Sequence, residues 1–204
     1  MKQHTEEWFA IRAGKVTASR IADLMAKTKS GDSASRKNYL AEKLAERLTG
    51  EPYDSGSFQT AAMQRGNEME PLARAEYEFA HDVQIEEVGF AIHPEIEQSG
   101  ASPDGLVGSD GMIQIKCPNT ATHLATLTTE KIDRKYILQM QWEMACTGRS
   151  WSDFVSFDNR LPSPIDRVEI RLEFDPDLVA QIELEVKRFL FDLDELEAKI
   201  RERM

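Results

Sequence analysis

Cysteine is scarce in this sequence: Cys117 and Cys146 are the two thiols in 204 residues. So few exclude a disulfide-built scaffold and fit a reducing compartment. No Cys/His cluster has zinc-site spacing, and the four histidines are scattered. No apolar run approaches the ~20 residues of a membrane-spanning helix, and Met1–Trp8 has no signal-peptide core. These absences predict a cytoplasmic protein with no membrane partner. Repeats, low-complexity tracts and linkers are missing too, which predicts one domain over residues 1–204. Positive charge is also in short supply. A net charge of −11 argues against a broad basic coat for nucleic acid. The distribution is uneven: residues 1–50 hold ten Lys and Arg against six Asp and Glu, and residues 169–204 hold six against eleven. An acidic exterior with a locally basic channel would confine nucleic acid to one path.

What is present is a 41% hydrophobic, 30% charged chain of globular composition. Its most informative stretch is Ser102–Pro118. Pro103-Asp104-Gly105 is a turn that sets a carboxylate at the end of an extended segment. After a second turn at 108–111, Met112-Ile113-Gln114-Ile115-Lys116 alternates with period two, which predicts a strand. Gln114 and Lys116 therefore share a face, with Asp104 beside them across the hairpin. A carboxylate, a polar group and a lysine at a strand end suit magnesium-assisted phosphodiester hydrolysis, because magnesium takes oxygen ligands and polarises phosphoryl groups. On these residues alone an ordinary polar hairpin fits equally well.

The coarse reading along the chain is an α/β fold, a central mixed sheet flanked by helices. Thr17 or Ser19 is placed to cap a helix through Ile21, Leu24 and Met25. Residues 26–35 read as a loop. A helix over Ser35–Thr49 buries Tyr39, Leu40, Leu44 and Leu48 and stops at Gly50. Thr60–Asp82 reads as a helix broken or restarted near Pro71, and residues 83–93 as one strand. Asp133 starts a helix that ends at Gly148. Strands follow at Phe154–Phe157 and Asp166–Phe174. Asp175 and Pro176 open a last helix. Its stripe of Ile182, Val186, Phe189, Leu193, Leu196 and Ile200 packs against the body or another subunit.

Ser102–Pro118 resembles the PD-(D/E)XK nuclease motif, with Gln114 standing where that motif has Glu or Asp. The likeness becomes specific upstream and downstream. W-x-x-x-R-x-G-x-x-T-A-S from Trp8, G-x-x-x-E over Gly66–Glu70, S-P-D-G, I-K-C-P and Q-x-Q over Gln139–Gln141 occur in order. Together they resemble the lambda-exonuclease (YqaJ-like) family of phage recombination nucleases. The resemblance implies a restriction-endonuclease-like core. It implies one or two Mg²⁺ or Mn²⁺ ions held by Asp104, residue 114, the Ile115 carbonyl and Glu70, with Lys116 orienting or activating the attacking water. It places Arg12, Ser19, Ser102 and Gln139 around a 5′-phosphate, and Lys27, Lys29, Met63 and Gln141 against DNA. Met63 fits core packing equally well. The implied activity is 5′-to-3′ degradation of one strand of duplex DNA from its ends. It releases mononucleotides and leaves 3′ overhangs. The implied assembly is a homotrimeric ring working with a single-strand annealing protein in the host cytoplasm.

Gln114 is the departure. A neutral amide is a poorer magnesium ligand than a carboxylate. Its presence predicts either a Glu-to-Gln replacement that keeps DNA binding and impairs cleavage, or a natural nuclease that works with glutamine. Alternatives are a structure- or site-specific endonuclease of the same fold, a non-catalytic clamp on DNA ends, and a structural phage protein.

Overall fold

The alternation at Met112–Lys116 builds the strand on which the site is assembled. The computed structural model describes residues 2–29, 31–53 and 61–203, with the backbone alone at 61–63. The chain opens with α1 (Glu6–Arg12), whose first turn is capped by the Thr5 hydroxyl accepting from the Trp8 N–H. There follow β1 (Val16–Thr17), a 3₁₀ turn over Ala18–Arg20 and α2 (Ile21–Met25). Thr17 has the extended backbone of a capping residue but makes no side-chain cap bond. Its N–H donates instead to the Tyr39 hydroxyl. A ribbon of β2 (Lys27–Thr28) and β3 (Gly31–Asp32) occupies the stretch read as loop, and α3 (Ala34–Thr49) ends at left-handed Gly50. Next comes α4 (Ala61–His81), which runs through Pro71 without the break expected there.

The strand expected over 83–93 is two strands. β4 (Ile85–Glu86) pairs with β7 (Gly105–Val107), whereas β5 (Ala91–Ile92) pairs with β6 (Ser99–Ala101). The chain changes sheets between them, so its alternation is not that of one surface. β8 (Gly111–Lys116), α5 (Thr120–Thr129), α6 (Arg134–Thr147), β9 (Trp151–Phe157), β10 (Arg167–Glu173) and α7 (Pro176–Arg201) complete the order. The main sheet runs β10-β9-β8-β7-β4, with β8 and β9 parallel and the other pairs antiparallel. A smaller sheet runs β1-β6-β5.

The parallel β8/β9 pair dictates where α6 lies. Parallel neighbours need a crossover connection, usually helical, that packs on the sheet. α5 and α6 form that crossover. On one side of the sheet, Ile113 and Ile115 pack with Ala73 and Tyr77 of α4, together with Val155 and Phe157. On the other, α6 contributes Leu138 and Trp142 to a larger core with α2, α3 and α7. The Trp142 indole N–H donates to Ser99 Oγ at 3.1 Å, and Ser99 Oγ in turn donates to the Val16 carbonyl. One buried chain of bonds thus joins α6, β6 and β1.

The α7 stripe belongs to this core. Ile182, Val186, Phe189 and Leu193 are fully buried within the chain itself, and Leu196 and Ile200 pack against them. Truncating Phe189 to Ala is expected to cost about 3–5 kcal/mol. No helix among the described residues is long and apolar enough to cross a membrane.

Candidate active site

Asp104 sits between β6 and β7. Gly105 beside it has no Cβ, and one would lie 2.1 Å from Ile85 Cγ2. The close β7/β4 approach that holds Asp104 in place needs that glycine. Asp104 Oδ2 accepts from the Ile115 N–H at 2.6 Å and from the Gln114 side-chain amide. β8 therefore presents Gln114 beside Asp104 as the hairpin reading expected, with Lys116 one step further on the same face.

Gln114 is fully buried. Its nitrogen faces the Asp104 carboxylate and its oxygen accepts from Gln139 Nε2 at 2.8 Å. Beside a carboxylate the amide must turn its donor inward, so Gln114 offers a cation neither charge nor a free oxygen. Gln139 spends its other amide hydrogen on Glu143 Oε1, also at 2.8 Å. Both donors of Gln139 are thus committed within the protein. Residue 114 and Gln139, expected as a ligand and a phosphate donor, are both engaged in hydrogen bonds within the chain.

From the other side of the sheet α4 brings Glu70. Arg74, one turn on, donates to Glu70 Oε1 at 2.7 Å and to the Asp104 carbonyl at 3.0 Å. Burial first, and then the nearby Asp104 charge, push the Glu70 carboxyl up to about 7. Burial also raises the Asp104 carboxyl, against the pull of Lys116 and the Ile115 N–H. Two acidic groups that both resist ionisation, sharing one cleft, are poised for a cation.

Arg12, Ser19, Ser102 and Gln139 line one cavity of about 210 Å³ together with Asp104 and Glu70. Arg12 lies over the Trp8 ring at 3.6 Å, and among the described residues no salt bridge to a carboxylate engages it. Burial lowers its pKa to about 10. A partly buried guanidinium with no salt-bridge partner among the described residues, on which Glu46 acts only from a distance, suits an anionic guest. Ser102 Oγ accepts from the Trp8 indole at 2.9 Å, which leaves its O–H to donate. The cavity adjoins a wider cleft of about 880 Å³ that shares Trp8 and Glu70 and is lined by Arg65, Lys116, Tyr136 and Arg160. Asp158 at its rim fixes Arg65 and Arg160. Another cavity of similar volume, beside Phe79 and Pro164, contains none of these groups.

The remaining expected DNA contacts lie elsewhere. Gln141 is 1% exposed; its amide donates to the Glu173 carbonyl and its oxygen accepts from the Asp175 N–H. It ties β10 to the start of α7 and is not available to DNA. Lys27 pairs with Glu185 at 2.5 Å, and Lys29 is exposed on the β2–β3 turn. The Met63 side chain lies outside the described residues.

Glu143 is the acidic group that sequence reasoning missed. The signal was its spacing: four residues after Gln139, it shares that helix face.

The oxygen donors of Asp104, Glu70 and the Ile115 carbonyl suit Mg²⁺ or Mn²⁺, which uses one or two carboxylates and keeps water. Among the described residues no three His, Cys, Asp or Glu gather into a ready-made metal cluster. Asp104 and Glu70 are the direct acidic ligands that fit.

A model of the YqaJ-like viral recombinase domain matches residues 7–150. The chain is 52% identical to LHK-Exo, whose structure was solved with dAMP, with a TM-score of 0.91 over 98% of this chain and 97% of that one. It is 51% identical to a second structure of this alkaline exonuclease from Laribacter hongkongensis, with the same TM-score and coverage. A phage-related exonuclease from Haemophilus somnus 129PT shares the fold at 19% identity and TM-score 0.72, over 91% of this chain and 96% of that one. No curated protein matches.

Proposed function

Because the chain belongs to the YqaJ-like viral recombinase domain family, with the exonuclease fold of its relatives, we propose that it is a divalent-metal-dependent exonuclease. It degrades one strand of duplex DNA from the 5′ end, releases mononucleotides and leaves 3′ overhangs for recombination by strand annealing. Residues 1–204 serve as one nuclease domain. The observation that carries this reading is the shared cavity, lined by Arg12, Ser19 and Ser102 together with Asp104 and Glu70. A terminal phosphate needs the first set and phosphodiester hydrolysis the second. The dAMP held by the 52%-identical relative supports a mononucleotide product.

In this reading Arg12, Ser19 and Ser102 bind the 5′-phosphate and fix the scissile bond by its distance from that end. Asp104, Glu70 and the Ile115 carbonyl hold one or two Mg²⁺ or Mn²⁺ ions. The bound ion supplies polarisation of the phosphate and a more acidic attacking water. Lys116 orients that water and offsets charge on the phosphorane. Arg65 and Arg160 contact the backbone in the wide cleft without reading sequence. Gln114 withholds a negative charge from the ion and so weakens cleavage relative to a carboxylate at that position. The homotrimeric ring and an annealing partner are carried from the family resemblance.

Incubation with Mg²⁺ of 5′-phosphorylated linear duplex beside covalently closed circular duplex tests the reading. Only the linear DNA should be consumed, and Lys116→Ala should remove the activity. Cutting of the closed circle would favour the endonuclease. Tight end binding without cleavage, in this chain and in Gln114→Glu alike, would favour the clamp.

A further inference from the structure

Glu143 is 1% exposed on α6 and is among the residues that line the cavity shared by Asp104 and Glu70. One oxygen accepts from Gln139; the other has no hydrogen-bond partner among the described residues. No salt bridge engages it there either. Lys116 is the cation that acts on it, from a distance, and Asp104 acts with the opposite sign. A buried carboxylate left half-unsatisfied is unfavourable, and a buried glutamine or methionine would fill the position without that penalty. A group so placed is suited to a counter-charge that arrives from outside the chain.

Its position relative to Gln114 identifies that counter-charge. Glu143, Gln139, Gln114 and Asp104 form one unbroken line of side chains, each hydrogen-bonded to the next. The acid lies at the α6 end, and the neutral amide lies on β8 where the motif has its acid. We propose that Glu143 supplies, from behind Gln114, the negative charge that this amide withholds from the divalent-cation site. Since no three acidic groups gather as direct ligands among the described residues, Glu143 acts as a positioning residue. It polarises the Gln139–Gln114 relay toward Asp104 and balances the cation's charge across it. Outer partners of this type change metal affinity about 10–100-fold. The proposal rests on the metal-dependent reading above.

The test is isothermal titration of metal-free protein with Mn²⁺ alone, in four forms: the parent chain, Glu143→Gln, Gln114→Glu and the double variant. Glu143→Gln should weaken Mn²⁺ binding about tenfold or more in the parent background. With a carboxylate restored on β8, the same change should alter the affinity by less than about threefold. No loss in the parent background, or an equal loss in both, would overturn the proposal and leave the nuclease reading standing. Failure of the parent and of Gln114→Glu to bind Mn²⁺ would overturn the metal-dependent reading and this inference with it. Glu143→Gln is nearly isosteric and keeps an oxygen to accept from Gln139, so the metal-free variant should melt no lower than the parent. Loss of its fold would make Glu143 a structural residue and overturn the proposal.

Discussion

At the scale of single residues, Arg12 is where the proposed separation of recognition from chemistry is tested. Its guanidinium is partly buried, rests on Trp8 and has no salt-bridge partner among the described residues. Charge-assisted hydrogen bonds to a phosphate are worth roughly 1.5–3 kcal/mol, about 10–150-fold in rate. Arg12→Ala should therefore slow cleavage from 5′-phosphorylated ends by that factor and from 5′-hydroxyl ends much less. Rates on the two ends check this, and equal losses would make Arg12 structural. Glu143 gives a prediction for the metal-free protein. Burial, then the Asp104 charge, raise its carboxyl from 4.5 to about 8, while Gln139 and Lys116 oppose the shift. Glu70, facing Asp104, Arg74, Lys116 and Glu87, is raised to about 7. A raised acid holds its proton in the folded state, so the stability it contributes is full below about pH 4.5 and lost as pH rises through 8. In chelator, Tm should fall between pH 5 and 9, and Glu143→Gln should flatten that fall; an unchanged slope would contradict it.

At the scale of elements, the neighbours of β8 set the site. A Cβ on Gly105 would strike Ile85 of the adjacent strand, and Ile85 is β-branched and cannot swing clear. Gly105→Ala should destabilise the protein by about 1–3 kcal/mol, the range for overpacking. It should also displace Asp104; denaturant unfolding and a nuclease assay on one preparation check both. The β8 face was legible in the sequence because period-two alternation and turn residues are local signals. The ends of α3 and α6 were legible too, since Gly50 and Gly148 both take the left-handed conformation. α5 was not: Thr-rich Thr120–Thr129 is a poor helix former by propensity. It is held by the Asn119 cap and by buried His123 bonded to Ser156. The 83–93 segment misled because its two halves join different sheets, a nonlocal fact. Glu143 was hidden because a buried carboxylate contradicts the expectation that acidic residues lie outside. Gln114 and Asp104 were legible from the motif. That the amide nitrogen faces the acid emerges only once β7 and β8 are paired.

For the whole molecule, the α7 stripe bears differently on assembly than its periodicity suggested. It fills the chain's own core, so it gives no support to a subunit contact. Phe79, Leu184 and Phe191 are the strongly exposed apolar side chains among the described residues, at 91%, 68% and 64%. The ring reading predicts a trimer in light scattering at micromolar concentration without DNA; monomer alone would contradict it. In the proposed reading, a net charge of −11 with Arg65, Lys116 and Arg160 gathered in one cleft would confine DNA to that path, beside the cavity lined by Arg12. The central claim is that this path delivers a 5′-phosphorylated end to Asp104 and Glu70. The most direct test is a linear duplex labelled at the 5′ end of one strand and, in a parallel sample, at its 3′ end, digested with Mg²⁺. The account predicts labelled mononucleotide at once from the 5′ label and only late from the 3′ label, faster with Gln114→Glu. Early release from the 3′ label, or internal fragments from both, would contradict it.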